Sequence, residues 1–267
     1  SCRGTISISF PDMQRKMSWW QRILVAAFWL GLWAVLSGAV NQTLLLPSPL
    51  QVFLRITELV VSAQFWKTIG VTILRIMTGI LCAIVLGILL AGLTTRFALM
   101  DYLFSPLLTV IQSTPVASFI LLVLIWIGRN WVPAVISGMM VLPIIWKNLC
   151  TGLAEINPQY LQLAEVYQLS KATQLRRIVI PSVMPYFLSA MQISIGIGWK
   201  SGVAAEVLTV PAFAIGKMIF ESKLYMETTD LFAWTTVVIL LSLLFEKGAA
   251  ALLRRALAGL HFQRCES

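Results

Sequence analysis

The run IGVTILRIMTGILCAIVLGILLAGL at residues 69–93 decides the fold. It carries one charge, Arg75, close enough to one end to snorkel into lipid headgroups. A helix rises about 1.5 Å per residue, so this run outspans a hydrocarbon core of roughly 30 Å and reads as a membrane-crossing helix. The whole chain matches that environment: 58% of its 267 residues are hydrophobic, 12% are charged and the mean hydropathy is +0.85. These values lie far from soluble globular averages, and water is not the main solvent.

Working outward, a first span is expected at 23–40, after Arg15, Lys16 and Arg22 and beside Trp19 and Trp20 at interface depth. Ser37-Gly38-Ala39 would also suit a secretory signal, but the apolar run is long for one and further spans follow. Leu46-Pro47-Ser48-Pro49 breaks the chain, and residues 50–63, with Arg55 and Glu58, are too short and too polar to cross. A third span at 107–127 contains Gln112-Ser113-Thr114-Pro115, whose proline removes a backbone donor and is expected to kink or open the helix start. A fourth span at 131–146 has Pro133 and Pro143 near its ends. Spans at 186–210 and 231–251 complete the set, and the apolar piece 207–220, with Pro211 and Gly216, suits a re-entrant or interfacial segment. The expected fold is all-α: a polytopic membrane protein of about six transmembrane helices, one membrane domain over 1–267 with its core at about 66–253. The chain starts at Ser1, which leaves its natural amino terminus open.

Charge orients it. Six spans with the amino terminus inside put Arg3, Arg15, Lys16, Arg22, Arg96, Lys147, Lys171, Arg176, Arg177, Lys247, Arg254, Arg255 and Arg264 on the inner side, thirteen in all. Arg55, Lys67, Arg129, Lys217 and Lys223, five, fall outside, a clear positive-inside bias with both termini cytoplasmic. The net charge of +9 needs no nucleic acid, because no basic run is interleaved with aromatics on a polar module. Cys2, Cys82, Cys150 and Cys265 lie far apart without metal-ligand spacing and read as inert thiols. No GxxxxGK[ST] loop or HExxH motif occurs, and the single histidine, His261, reads as a solvated residue, so the chain is expected to bind no cofactor.

Residues 147–185 form the longest aqueous segment and face the cytoplasm. Two short amphipathic helices are expected there, at about 158–169 after Asn157 as cap and at about 171–180 ending at Pro181. That is more than a connector requires, and something is expected to dock on it.

The stretch Gln162-Leu163-Ala164-Glu165-Val166-Tyr167-Gln168, followed after nine residues by Ile178-Val179-Ile180-Pro181, resembles the cytoplasmic loop signature of binding-protein-dependent ABC importer permeases. That signature begins Glu-Ala-Ala, has a Gly six residues after the Glu and closes Ile-x-Leu-Pro. Here Gln162, Leu163, Gln168 and Ile180 replace the Glu, the first Ala, the Gly and the Leu at unchanged spacing. Leu46 to Pro49, Gln112 to Pro115 and Trp199 to Glu206 are similar to the nitrate, sulfonate, taurine and bicarbonate branch, over nearly the whole chain.

The resemblance implies a translocation pathway formed with a second permease copy, a homodimer, in the bacterial cytoplasmic membrane. Two cytoplasmic ATPase subunits would grip the loop at Gln162, Ala164, Glu165, Gln168, Ile178 and Pro181, using ATP and Mg that this chain does not itself bind. An extracytoplasmic binding protein would deliver a small anion such as a sulfonate, taurine, nitrate or bicarbonate, and this chain would supply no catalytic residue. The alternative is an ion-coupled secondary transporter, although six spans show no repeated half.

Lys200 and Glu206 lie at membrane depth, where a charge needs a cavity or a partner. Six residues apart they differ by about 240° around a helix and form no simple pair. Two readings stand: Lys200 by the pathway drawing an anion with Glu206 at its outer mouth, or each snorkelling or paired with another helix. Gln112, Ser113 and Thr114 either line the route or satisfy backbone groups freed at the kink.

Overall fold

A computed structural model describes residues 18–262. The cations Arg3, Arg15, Lys16 and Arg264, with Cys2 and Cys265, lie outside the described residues, as do the side chains of Arg22, Arg254, Arg255 and His261. The described residues are 86% helical, with no strand among them.

Helix α1 (Trp19–Val40) is exposed along most of its length. Stacking of Trp33 on Phe232 and a hydrogen bond from Ser37 Oγ to Leu46 O hold its far end. The break at Pro47 leads into α2 (Pro49–Val61), which opens with a capping box between Ser48 and Gln51 and with proline in the first turn, where no intrahelical donor is lost. Arg55 of α2 donates to both carboxylate oxygens of Asp230 at 2.5 and 2.9 Å and to Glu58 at 2.8 Å. Its guanidinium is held above its ordinary range by the hydrogen bonds to Asp230 first and Glu58 second.

The deciding run is the middle of α3 (Ala63–Arg96), a 34-residue helix that starts six residues before it. Next come α4 (Ala98–Ser113) and α5 (Val116–Trp126), which meet at 112°. The third span is therefore not one run over 107–127. Pro115 bars the helical conformation at Thr114, which is extended, and the chain turns there through more than a right angle. Helix α6 (Val132–Ala154) continues eight residues beyond the expected 146, with Pro143 inside it rather than at its end and Lys147 and Asn148 as ordinary helical residues.

Helices α3 and α6 run side by side in the same direction. Gly79 lies against the Ala134 carbonyl, where an added Cβ would sit 2.0 Å from the oxygen, and further along Gly87 meets Ile145 and Thr94 accepts from Trp146 Nε1. Close approach through a small residue is how helices associate in lipid, where apolar burial gives no net drive. The parallel arrangement settles how the bent α4–α5 pair counts. From Arg96 to Trp131 the chain must climb back from the level of Ala154 to that of Arg75, about 30 Å along α3, which is the thickness of a hydrocarbon core. Counted on that ground as one crossing, the pair brings the five long apolar helices to six.

After α7 (Pro158–Val166), helix α8 (Lys171–Gln174) passes through a π turn at 175–179 into α9 (Ile180–Thr209). Helix α9 packs antiparallel to α3 and α6, with Tyr186 on Gly152, Gly198 on Val141 and Gly202 on Ile76. The apolar piece at 207–220 is split between the end of α9, a turn and α10 (Ile215–Leu224), and α11 (Thr228–Phe262) is the last long apolar helix. Ile76, Ile80, Val141, Ile145, Trp199, Ile215 and Trp234 form the dry centre between α3, α6, α9, α10 and α11.

Candidate functional site

Three places carry the residues singled out in the sequence. The first is the segment between α6 and α9. Asn157 caps α7 by accepting from Gln159 N at 2.9 Å. The helix ends at Gln168, which has φ of 49°, while Gln168 N donates to Glu165 O and Leu169 N to Ala164 O, both at 2.9 Å. That is a Schellman ending, in which the left-handed residue is most often glycine because a Cβ is disfavoured there. The glycine position of the loop signature and the left-handed position of the helix end coincide.

Ala164 is buried, whereas Gln162 and Glu165 are exposed and Ile178 and Pro181 are partly so. Around them Leu163, Val166 and Tyr167 stand uncovered, Val166 at 77% and Tyr167 at 70%. The expected stop at Pro181 does not occur. Ile180 N donates to Leu175 O across the π turn, Pro181 falls in the first turn of α9 where it needs no donor, and 171–209 runs as one 39-residue helical rod. The segment between the two long helices is thereby residues 155–170, and residues 171–185 belong to the rod.

The second place is the Thr209 end of α9. Glu206 has no exposed surface. It accepts from Arg75 Nη1 at 2.8 Å, Thr72 Oγ1 at 3.0 Å and Gly216 N at 3.2 Å, while Arg75 Nη2 donates to Ala212 O at 3.1 Å and Ile215 N to Thr72 Oγ1 at 3.0 Å. Arg75 does not snorkel to the headgroups; it is the largely buried partner of Glu206. The amino end of α10 points its free N–H groups and positive dipole end at the carboxylate. Such an approach needs glycine: a Cβ on Gly216 would lie 2.4 Å from Glu206 Cβ. The cluster ties α3, α9 and α10 together, and Glu206 is paired with another helix rather than open to an outer mouth.

The third place is the open face of α9. Ser189, Ile193, Ile197, Lys200, Ala204 and Leu208 recur at helical spacing and are exposed, with the Lys200 side chain at 71%. Its Nζ lies 3.8 Å from Glu246 Oε1 of α11. Lys200 and Glu206 thus face different surroundings, as their 240° separation requires. Gln112 and Ser113 are exposed and Thr114 is half-buried at the α4–α5 bend, where Ser113 and Thr114 donate to Thr109 O and Val110 O at 2.8 Å. Sequence reasoning missed Glu246 and the role of Arg75; both are charges inside long apolar stretches.

Residues 83–257 match the family described as the binding-protein-dependent transport system inner membrane component. The chain belongs to that family. It is the membrane-spanning permease subunit of an ABC importer and forms the translocation pathway; ATP hydrolysis takes place in a partner ATPase, and a substrate-binding protein feeds the system. It is 23% identical over 230 residues to the taurine transport system permease protein TauC of Escherichia coli, covering 84% of this chain and 83% of the relative. It is 25% identical over 238 residues to the nitrate import permease protein NrtB of Synechococcus elongatus, covering 82% and 85%. The formylaminopyrimidine transport permease protein ThiX of Halalkalibacterium halodurans is 28% identical over 178 residues, 66% of this chain and 71% of that one. In fold it is similar to a crystal structure of an amino acid ABC transporter, with a TM-score of 0.55 at 18% identity over 76% of this chain and 96% of the other. Ion-coupled secondary transport is not favoured.

Proposed function

We propose that this permease works as a homodimer in the bacterial cytoplasmic membrane, its termini cytoplasmic, with the open faces of α9 and the α4–α5 bends enclosing a pathway for a small oxyanion. The observation that carries this is Lys200. An ammonium on a spanning helix, exposed on the single chain, is not stable against lipid tails, where it costs about 3 kcal/mol or more. The face that carries it therefore meets water or another subunit. Gln112, Ser113 and Thr114 would line the same route, and the whole chain would act as one domain. The taurine and nitrate permeases among its relatives support an anionic cargo.

Two ATPase subunits would grip the α6–α9 segment through Gln162, Ala164, Glu165, Gln168, Ile178 and Pro181, with the bare Val166 and Tyr167 as the apolar centre of the contact. Any ATP and Mg belong to those subunits. Co-purification of the tagged chain with the ATPase from its own source tests this, comparing the intact chain with a Gln168→Pro, Ala164→Asp variant. The intact chain should bring down the ATPase and the variant should lose it; an intact chain that captures none overturns the docking assignment.

A further inference from the structure

The depression beside Lys200 holds a second charge that the pathway reading leaves unused. It measures about 300 Å³ and is lined by Gln192, Ile193, Gly196, Ile197, Lys200 and Glu246. Glu246 reaches it from α11, with Ser242 Oγ, one turn earlier, donating to Oε1 at 3.4 Å. The carboxylate lies over α9 at Gly196, where a Cβ would sit 2.9 Å from Oε1, so the missing side chain makes its room. At 3.8 Å the Lys200 ammonium is held by charge but is beyond hydrogen-bonding distance, and among the described residues it donates no hydrogen bond. By contrast, the Arg75–Glu206 pair is in direct contact at 2.8 Å, with Glu206 fully buried and the Arg75 side chain 10% exposed. One intramembrane pair is closed and the other is loose, open and roomy. A loose pair neutralises the lysine while leaving its three donors free for an oxygen ligand.

We propose that Lys200 and Glu246 form an anion site with a built-in counter-ion, in which a small singly charged oxyanion takes the lysine's donors by displacing the Glu246 carboxylate. Glu246 keeps the empty pathway from holding a bare cation and sets how weakly the site binds, so that a bound anion also leaves. This rests on the reading of the open α9 face as the pathway wall.

The test uses the complete importer, purified with its ATPase, after replacement of Cys2, Cys82, Cys150 and Cys265 by serine and with Ile197→Cys, one turn from Lys200, as reporter. The rates of reaction with sulfonatoethyl and trimethylammonioethyl methanethiosulfonate are compared, and ethanesulfonate serves as the protecting anion. Glu246→Gln should raise the anionic-to-cationic rate ratio and the protection by ethanesulfonate on the order of tenfold, and Lys200→Gln should lower both by a similar factor. A reporter that reacts with neither reagent, or ratios unmoved by both substitutions, overturns the site. Glu246→Gln and Lys200→Gln are close in size to the native residues, and retention of the ATPase shows that each variant is assembled. Loss of ATPase from the parent complex would instead count against the importer assembly, so the two failures are distinct.

Discussion

Glu206 keeps a carboxylate where an unpaired charge costs several kcal/mol, and its partners come from positions 131, 134 and 10 residues away in the chain. Removing one partner should therefore cost more than removing both charges. Arg75→Met leaves Glu206 buried with only neutral donors, a loss of about 3–5 kcal/mol, read as a drop on the order of 10 °C in the midpoint of heat-induced aggregation in detergent. Arg75→Met combined with Glu206→Gln should recover most of that drop, since the amide oxygen still accepts from Gly216 N. A double variant as unstable as the single one would show that charge compensation is not what the pair provides. The sequence marks Glu206 as a charge needing a partner but conceals which one. Counted from the apolar run at 69, Arg75 looks near an end; α3 starts at Ala63, which puts Arg75 about 18 Å along it.

At the level of elements, one backbone angle governs the end of α7. Gln168 occupies the left-handed region at a cost of about 1 kcal/mol relative to glycine, and both Schellman bonds depend on it. Gln168→Gly should slow hydrogen exchange of the Leu169 and Gln168 amides about fivefold, while a β-branched Gln168→Val should speed it; no difference between the two would mean the ending is held by something other than this angle. The spacing of the signature was legible without a structure because it maps onto α7 and its cap. The proline rules were harder to apply. Pro115 announces a break but not an angle of 112°, because the direction taken after the break depends on where α5 finds Val132, Ile136 and Ala205 to pack against. Pro181 looks like a stop, yet a proline in the first turn of a helix costs no hydrogen bond, and the π turn before it lets the rod continue.

The whole molecule turns on the parity of its crossings. Apolar run length alone leaves α4–α5 ambiguous, since neither arm is long enough to span and the bend resembles a re-entrant loop. The parallel packing of α3 and α6 removes the ambiguity, because a chain cannot descend twice without climbing between. Parity then has a consequence that labelling can read. Thr57 of α2 and Gln159 of α7 are both exposed and are separated by α3, the bent pair and α6, three crossings, so they belong on opposite sides. The positive-inside count predicts that Gln159 faces the cytoplasm. In spheroplasts carrying the cysteine-free chain, Thr57→Cys should react at once with a membrane-impermeant maleimide, and Gln159→Cys only after permeabilisation. The reverse pattern would invert the molecule and put the uncovered Val166–Tyr167 surface out of an ATPase's reach. Labelling of both from one side would mean two crossings between them, a re-entrant bend, and would contradict the parallel contact of Gly79 with Ala134 on which the six-crossing count depends.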